Sequence, residues 1–160
     1  MSGGSRGAAE AQDAKDHDAV TRLLGREPLC SFTVVVRGSD GDPDVIANEP
    51  FLFDGTPMPT RFWLLDPAIC QAVSRLESSR GVSRAEEEVD PESVARAHAD
   101  YARERDRLIP ESHDGPRPMG GVGGTRKGVK CLHAHLAWWL AGGADPVGQW
   151  VADRIDIQRQ

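Results

Sequence analysis

Thiol, imidazole and clustered cationic side chains stand close together in one stretch of this chain. Lys130, Cys131, His133 and His135 follow a glycine loop, Gly120-Gly121-Val122-Gly123-Gly124-Thr125, that leads into Arg126 and Lys127. Residues 115–144 hold no Asp or Glu, although the chain has 25 acids and a net charge of −6. A thiol beside cations at the start of a helix is biased toward thiolate, the form that attacks electrophiles and ligates soft metals. Successive glycines let backbone N–H groups converge on an anion, backed by the positive end of the next helix. The pattern suggests a pocket for a small phosphate-bearing anion. Gly121, Gly123, Gly124, Thr125, Arg126, Lys127, Lys130 and Arg61 would hold the anion. Cys131 would act as nucleophile with His135 as base, and the loop around Asp54 could present that carboxylate to them.

Spacing narrows these roles. On a helix, Cys131 and His135 are four apart and share a face, whereas His133 lies roughly 160° from Cys131. All three could serve one metal only if the helix begins after Cys131. A Cys131/His135 pair offers two ligands for zinc or iron, with Cys30, His98, His113 or an aspartate needed to complete the set. The competing reading is structural: a packed thiol, hydrogen-bonded imidazoles, and a flexible loop with solvated lysines. A nucleotide fold finds no support. Gly128 follows Lys127 where a phosphate-binding loop needs Ser or Thr, and Arg126 occupies the third glycine of a dinucleotide fingerprint.

The elements that must position these residues read as α+β. Residues 16–24 predict a short helix with Val20, Leu23 and Leu24 on one side. Residues 29–36 and 44–48 predict two strands about the turn at Gly38, Ser39 and Asp40, and Phe51-Leu52-Phe53 and residues 61–65 two more. That makes an antiparallel sheet of three or four strands. Three Asp-Pro pairs, Asp66-Pro67, Asp90-Pro91 and Asp145-Pro146, are helix starts. The sheet is expected to pack against three C-terminal helices. The helix over residues 90–109 has a thin apolar stripe of Val94, Ala97, Tyr101 and Leu108. Its alternating charges, Arg96, Arg103, Arg105 and Arg107 among them, read as a solvated face or a docking surface for a protein partner. Trp63, Trp138, Trp139 and Trp150 read as packing residues.

Length suits one domain over residues 16–160, with residues 1–15 read as a disordered tail of Gly, Ala and Ser. No basic leader and no run of roughly 20 apolar residues is present, so neither a secretory signal nor a membrane span is expected. Three widely spaced cysteines fit a reducing cytoplasm better than a disulfide framework. The acidic balance disfavours nucleic acid as a partner.

A further pattern lies in Asp54-Gly55-Thr56-Pro57-x-Pro59-Thr60, Leu65-x-Pro67, Arg75-Leu76-Glu77-Ser78, Val129-Lys130-Cys131-Leu132-His133 and Asp145-Pro146-Val147-Gly148. The order resembles a bacterial family common among actinobacteria, catalogued as domain of unknown function number five hundred and one. The likeness runs from about Cys30 to Gly148 and is most specific over residues 130–133. It implies a cytoplasmic housekeeping role, members being encoded near a septum-formation protein and an exopolyphosphatase-type phosphatase. It also implies Cys-Pro-Cys where this chain has Gly38-Ser39-Asp40, and a cysteine where Asp66 stands. Of that set this chain keeps Cys131 alone. Either oxygen ligands such as Asp40 and Asp66 substitute, with His135 added, or those cysteines are not ligands. Two functions remain open: a pocket that binds or acts on a small anion, metal-assisted or not, and a non-enzymatic adaptor that docks a cell-division or envelope-related partner through residues 90–109.

Overall fold

The computed structural model describes residues 3–159. Helix α1 (Gly3–Leu24) opens the chain. The expected disordered tail is thus helical from Gly3 on, and residues 1 and 2 lie outside the described part. Its run of Ala, Glu, Gln and Lys favours helix intrinsically, and residues 4–15 are exposed throughout. Packing begins at Asp16, which pairs with Arg37 at 2.6 Å. Beyond it, Val20, Leu23 and Leu24 settle on Ile46, Leu65, Phe32, Val34 and Trp63.

The sheet has three antiparallel strands in the order β1 (Phe32–Arg37), β2 (Pro43–Asn48), β3 (Phe62–Leu64). The fourth expected strand shrinks to one bridge, Phe51 with Pro57. Pro57 and Pro59 lack the N–H that would extend the ladder. β2 is the central strand and almost wholly buried, Ile46 facing α1. Val45, Ala47 and Phe62 face the opposite way, onto Tyr101, Ala134, Ala137 and Trp138.

Each of these three Asp-Pro pairs starts a helix. Asp66, Asp90 and Asp145 cap α2 (Pro67–Ser78), α4 (Pro91–Asp106) and α6 (Pro146–Ile155) by accepting amides of the first turn. Between the first two lies a helix with no sequence signal, α3 (Gly81–Glu88), and before α6 runs α5 (Leu132–Leu140). Among the described residues five helices follow the sheet, broadly as expected but more finely divided than the three C-terminal helices of the sequence reading. Gly81 fits at the α2–α3 corner because a Cβ there would meet the Leu76 carbonyl oxygen at 2.5 Å. α5 is buried nearly all round, the signature of a central helix. One side meets the sheet through Ala134 and Ala137, the other Val73, Val147 and Val151 through Leu132 and Leu136. The Cys/His segment is the entry to this central helix.

Candidate metal centre

Cys131 stands outside the helix it precedes. Its backbone is extended (φ −135, ψ 110), and α5 starts at Leu132. The cause lies in two acids brought from earlier helices. Glu86 of α3 accepts the Val129 amide at 2.8 Å, and Glu77 of α2 accepts the Leu132 amide at 3.0 Å. Pinned at both ends, the segment cannot wind, so Cys131 leaves the wheel on which it would share a face with His135. The thiol instead meets His133 and Glu77, and the three donor atoms lie within 4.8 Å of one another.

This cluster is half-buried and already oriented. His133 places Nδ1 3.1 Å from Glu77 Oε1, and its Nε2 faces the Cys70 carbonyl oxygen and Ser74 Oγ, each at 3.2 Å. Burial pushes the Cys131 thiol up, but His133 and the amide end of α5 outweigh it, leaving the thiol below its ordinary value. The Cys131 contact and the Glu77 carboxylate raise the His133 imidazole, against desolvation. Among the described residues this is the one group of three such donors. Asp66 caps α2 instead and, with Asp40 and Asp42, crowds Asp44.

His135 has another place. It is fully buried, its Nδ1 donating to Asp145 Oδ2 at 2.6 Å, while Asp145 Oδ1 accepts the Val147 and Gly148 amides. The pair joins α5 to α6. The ring's Nε2 has no partner among the described residues.

The glycine loop is occupied by its own bonds. Gly121 N donates to the Thr125 carbonyl, Gly124 N to that of Gly121, and Thr125 N to that of Val122. Val122 N donates to His98 Nδ1 at 3.1 Å. His98 Nε2–H in turn donates to the Gly128 carbonyl at 2.7 Å, so one ring laces both ends of the loop. Burial lowers the His98 pKa, in keeping with the neutral tautomer those bonds require. The amides of Gly121, Val122, Gly124 and Thr125 are thus unavailable to an anion, and the cradle expected of them is not open. Close packing explains Gly121, where a Cβ would meet His98 Cβ at 2.4 Å, and a positive φ of 62 explains Gly123.

Arg105 supports this loop from below. Read from sequence as part of a solvated face, it is 1% exposed. Its guanidinium donates to the carbonyls of Pro59 at 3.1 Å, Gly120 at 2.9 Å and Pro118 at 3.4 Å, and pairs with Asp106 at 2.9 Å.

The remaining candidates are scattered. Asp54 is exposed and accepts the Thr56 amide within its own turn. Arg61 donates to the Asn48 carbonyl at 2.7 Å and lies over the Phe62 ring. Arg126, Lys127 and Lys130 are exposed. A fully buried His135 cannot line an open pocket with Asp54, so the four-residue convergence of Asp54, Arg61, Cys131 and His135 does not form. Nor is the acid-free stretch free of acids in space: Glu77, Glu86, Asp145 and Glu104, which accepts Trp138 Nε1–H at 3.0 Å, all bond to it.

Residues 34–153 match the family described as "Protein of unknown function (DUF501)". The chain belongs to that family. The matched region of this DUF501 member runs from within β1 to within α6 and takes in Glu77, Cys131 and His133. No curated protein and no solved structure matches the chain.

Sequence reasoning missed Glu77 as a site residue, because nothing in its spacing ties it to a segment some 55 residues on. Its one trace was its place in the Arg75-Leu76-Glu77-Ser78 run.

Proposed function

We propose that this chain holds one zinc-class ion on Glu77, Cys131 and His133 and uses it to bind or act on a small phosphate-bearing anion. The reading rests on a thiol, an imidazole and a carboxylate from two separate segments converging within 4.8 Å. Two of the three donors are also held in place by further contacts. Glu77 Oε2 accepts the Leu132 amide, and His133 Nε2 faces a carbonyl, as metal-bound imidazoles usually do. Three protein ligands leave a fourth position open, the arrangement of reactive rather than purely structural zinc sites. The mixed donor set suits zinc, and iron is the other candidate. A bound ion would polarise a phosphoryl oxygen as a Lewis acid. Lys130, exposed and adjacent to Cys131, adds a charge-assisted contact. Anion recognition here depends on side chains, since the loop amides are spent. His135 and Asp54 keep structural roles.

Zinc-loaded protein should be stabilised against heat by millimolar pyrophosphate, because a ligand that binds only the native state raises its apparent stability. Cys131→Ser should lose that shift and Lys130→Ala should weaken it. Zinc-loaded protein that pyrophosphate leaves unchanged removes the anion half of the proposal.

A second reading uses the same residues without an ion. With Nδ1 facing Glu77 and Nε2 facing the Cys70 carbonyl, His133 is held doubly protonated, and Cys131 beside it becomes a thiolate nucleophile. Metal-free protein whose Cys131 is alkylated much faster than Cys30 and Cys70 at pH 6.5 would favour that version. The adaptor reading rests on the exposed Arg96 and Arg103 of α4 and on Arg107 at its C-terminal cap.

A further inference from the structure

Away from the Cys131 cluster, a cavity of about 560 Å³ opens between the α3–α4 corner and the segment after the glycine loop. Its walls are unequal. Val89, Pro91, Val94, Ala95 and Val129 give an apolar surface, while Arg126 and Lys127 stand at one side. Among the described residues neither cation forms an ion pair or a side-chain hydrogen bond, and both are exposed. The polar groups that also line it are engaged: Glu86 holds the Val129 amide, and His98 bonds Val122 and the Gly128 carbonyl. The cavity therefore offers an apolar body site and two uncommitted positive charges against a single carboxylate, Glu86, whose Oε1 already accepts the Val129 amide.

We propose that this groove binds a small amphiphilic anion, its hydrocarbon or aromatic part on Val89, Val94 and Val129 and its phosphate or carboxylate head on Arg126 and Lys127. Size favours a small molecule, since pockets for such ligands typically enclose about 300–1,000 Å³ and are mostly apolar with few polar groups. Charge decides the head group: a neutral amphiphile would leave both cations unused, and a cationic one would meet them. The packing of the loop explains why the cations stay beside the apolar surface. His98 ties Gly128, and Glu86 ties Val129, so the two residues immediately after Lys127 are fixed to α4 and α3.

The test compares three probes on the full chain below their micelle concentrations: octyl phosphate, inorganic phosphate and octyl glucoside, each titrated by calorimetry. Octyl phosphate is expected to bind about tenfold or more tightly than either of the others. Arg126→Ala with Lys127→Ala should remove that advantage. Ala95→Trp, at an exposed position on the groove wall, should block octyl phosphate while circular dichroism stays unchanged. Cys131→Ser should leave this binding intact, which separates it from the proposed metal centre. Equal binding of octyl glucoside, or octyl phosphate binding that survives both groove variants, would overturn the proposal. Tighter, competing binding of an acidic peptide with apolar flanks would overturn the small-molecule assignment.

Discussion

Replacing Arg105 by Met separates two views of α4 by a wide margin. A solvated arginine on a charged helix face can usually be changed within about 0.5 kcal/mol. The structure places it instead in a dry space, holding the carbonyls of Pro59 and Gly120 at 3.1 and 2.9 Å and that of Pro118 more loosely. Methionine fills much of the volume but donates nothing. Each buried acceptor left without a partner costs about 1–3 kcal/mol, and two are firmly held. Relief of the guanidinium's own desolvation offsets part of this, and removing one member of a buried charged contact set commonly costs about 3–5 kcal/mol. That is a large share of the roughly 5–15 kcal/mol that holds a domain together. With a urea m-value of about 2 kcal/mol per molar, the midpoint should fall by about 2 M. Urea unfolding followed by far-UV circular dichroism measures it, with Arg103→Met as the exposed control on the same helix. Hydrogen exchange should quicken at Gly121, Gly124 and Thr125 too, since the loop loses its support. If Arg105→Met unfolds at the same midpoint as Arg103→Met, the buried arginine is not holding the loop.

Two other outcomes follow from the charge arrangement. Burial, with Asp66, Asp40 and Asp42 close by, pushes the Asp44 carboxyl from 3.8 up to about 6. A raised folded pKa means the native state holds this proton more tightly than the unfolded chain, so the contribution is present at low pH and lost as pH rises through about 6. Asp44→Asn should therefore be more stable than the unmutated chain at pH 7.5 and equal to it near pH 4, by urea unfolding at both values; a gain of the same size at both would refute this. Reversing Arg96, Arg103 and Arg107 to Glu should alter stability modestly, by about 1 kcal/mol. If the adaptor reading holds, it should also eliminate co-purification of a partner, and a pull-down that recovers the same proteins either way counts against that reading.

Much of the fold was legible because its signals are local. The three Asp-Pro starts work through capping within one turn, and along the β-branched run of β1 Thr33 and Val35 alternate outward between more buried neighbours, as an edge strand requires. Phe51-Leu52-Phe53 misled because composition favours a strand while the prolines opposite deny it a ladder. α3 was invisible, being eight residues with three consecutive glutamates and only Val82 and Ala85 as apolar side chains. The site was harder, because its determinants are non-local. Helical geometry could pair Cys131 with His135 only if the helix included Cys131, and two carboxylates from α2 and α3 stop it from doing so. The local surplus of positive charge was real along the chain, and the acids that reach it in space, Glu77, Glu86, Glu104 and Asp145, bond its amides, His135 and Trp138 rather than its lysines and arginines. The glycines looked like an anion nest, but the Gly121 and Gly124 amides are spent on carbonyls of the loop itself, and His98 of α4 takes that of Val122.

Metal content decides the central claim. Protein purified without chelator, taken through native mass spectrometry and elemental analysis, should carry about one zinc or iron per chain. Glu77→Gln, Cys131→Ser and His133→Ala should each lose it, while His135→Asn, altered within the buried pair with Asp145, should keep it if folded. Metal-free protein of undiminished stability, or an ion lost with His135 and retained without His133, would contradict the account.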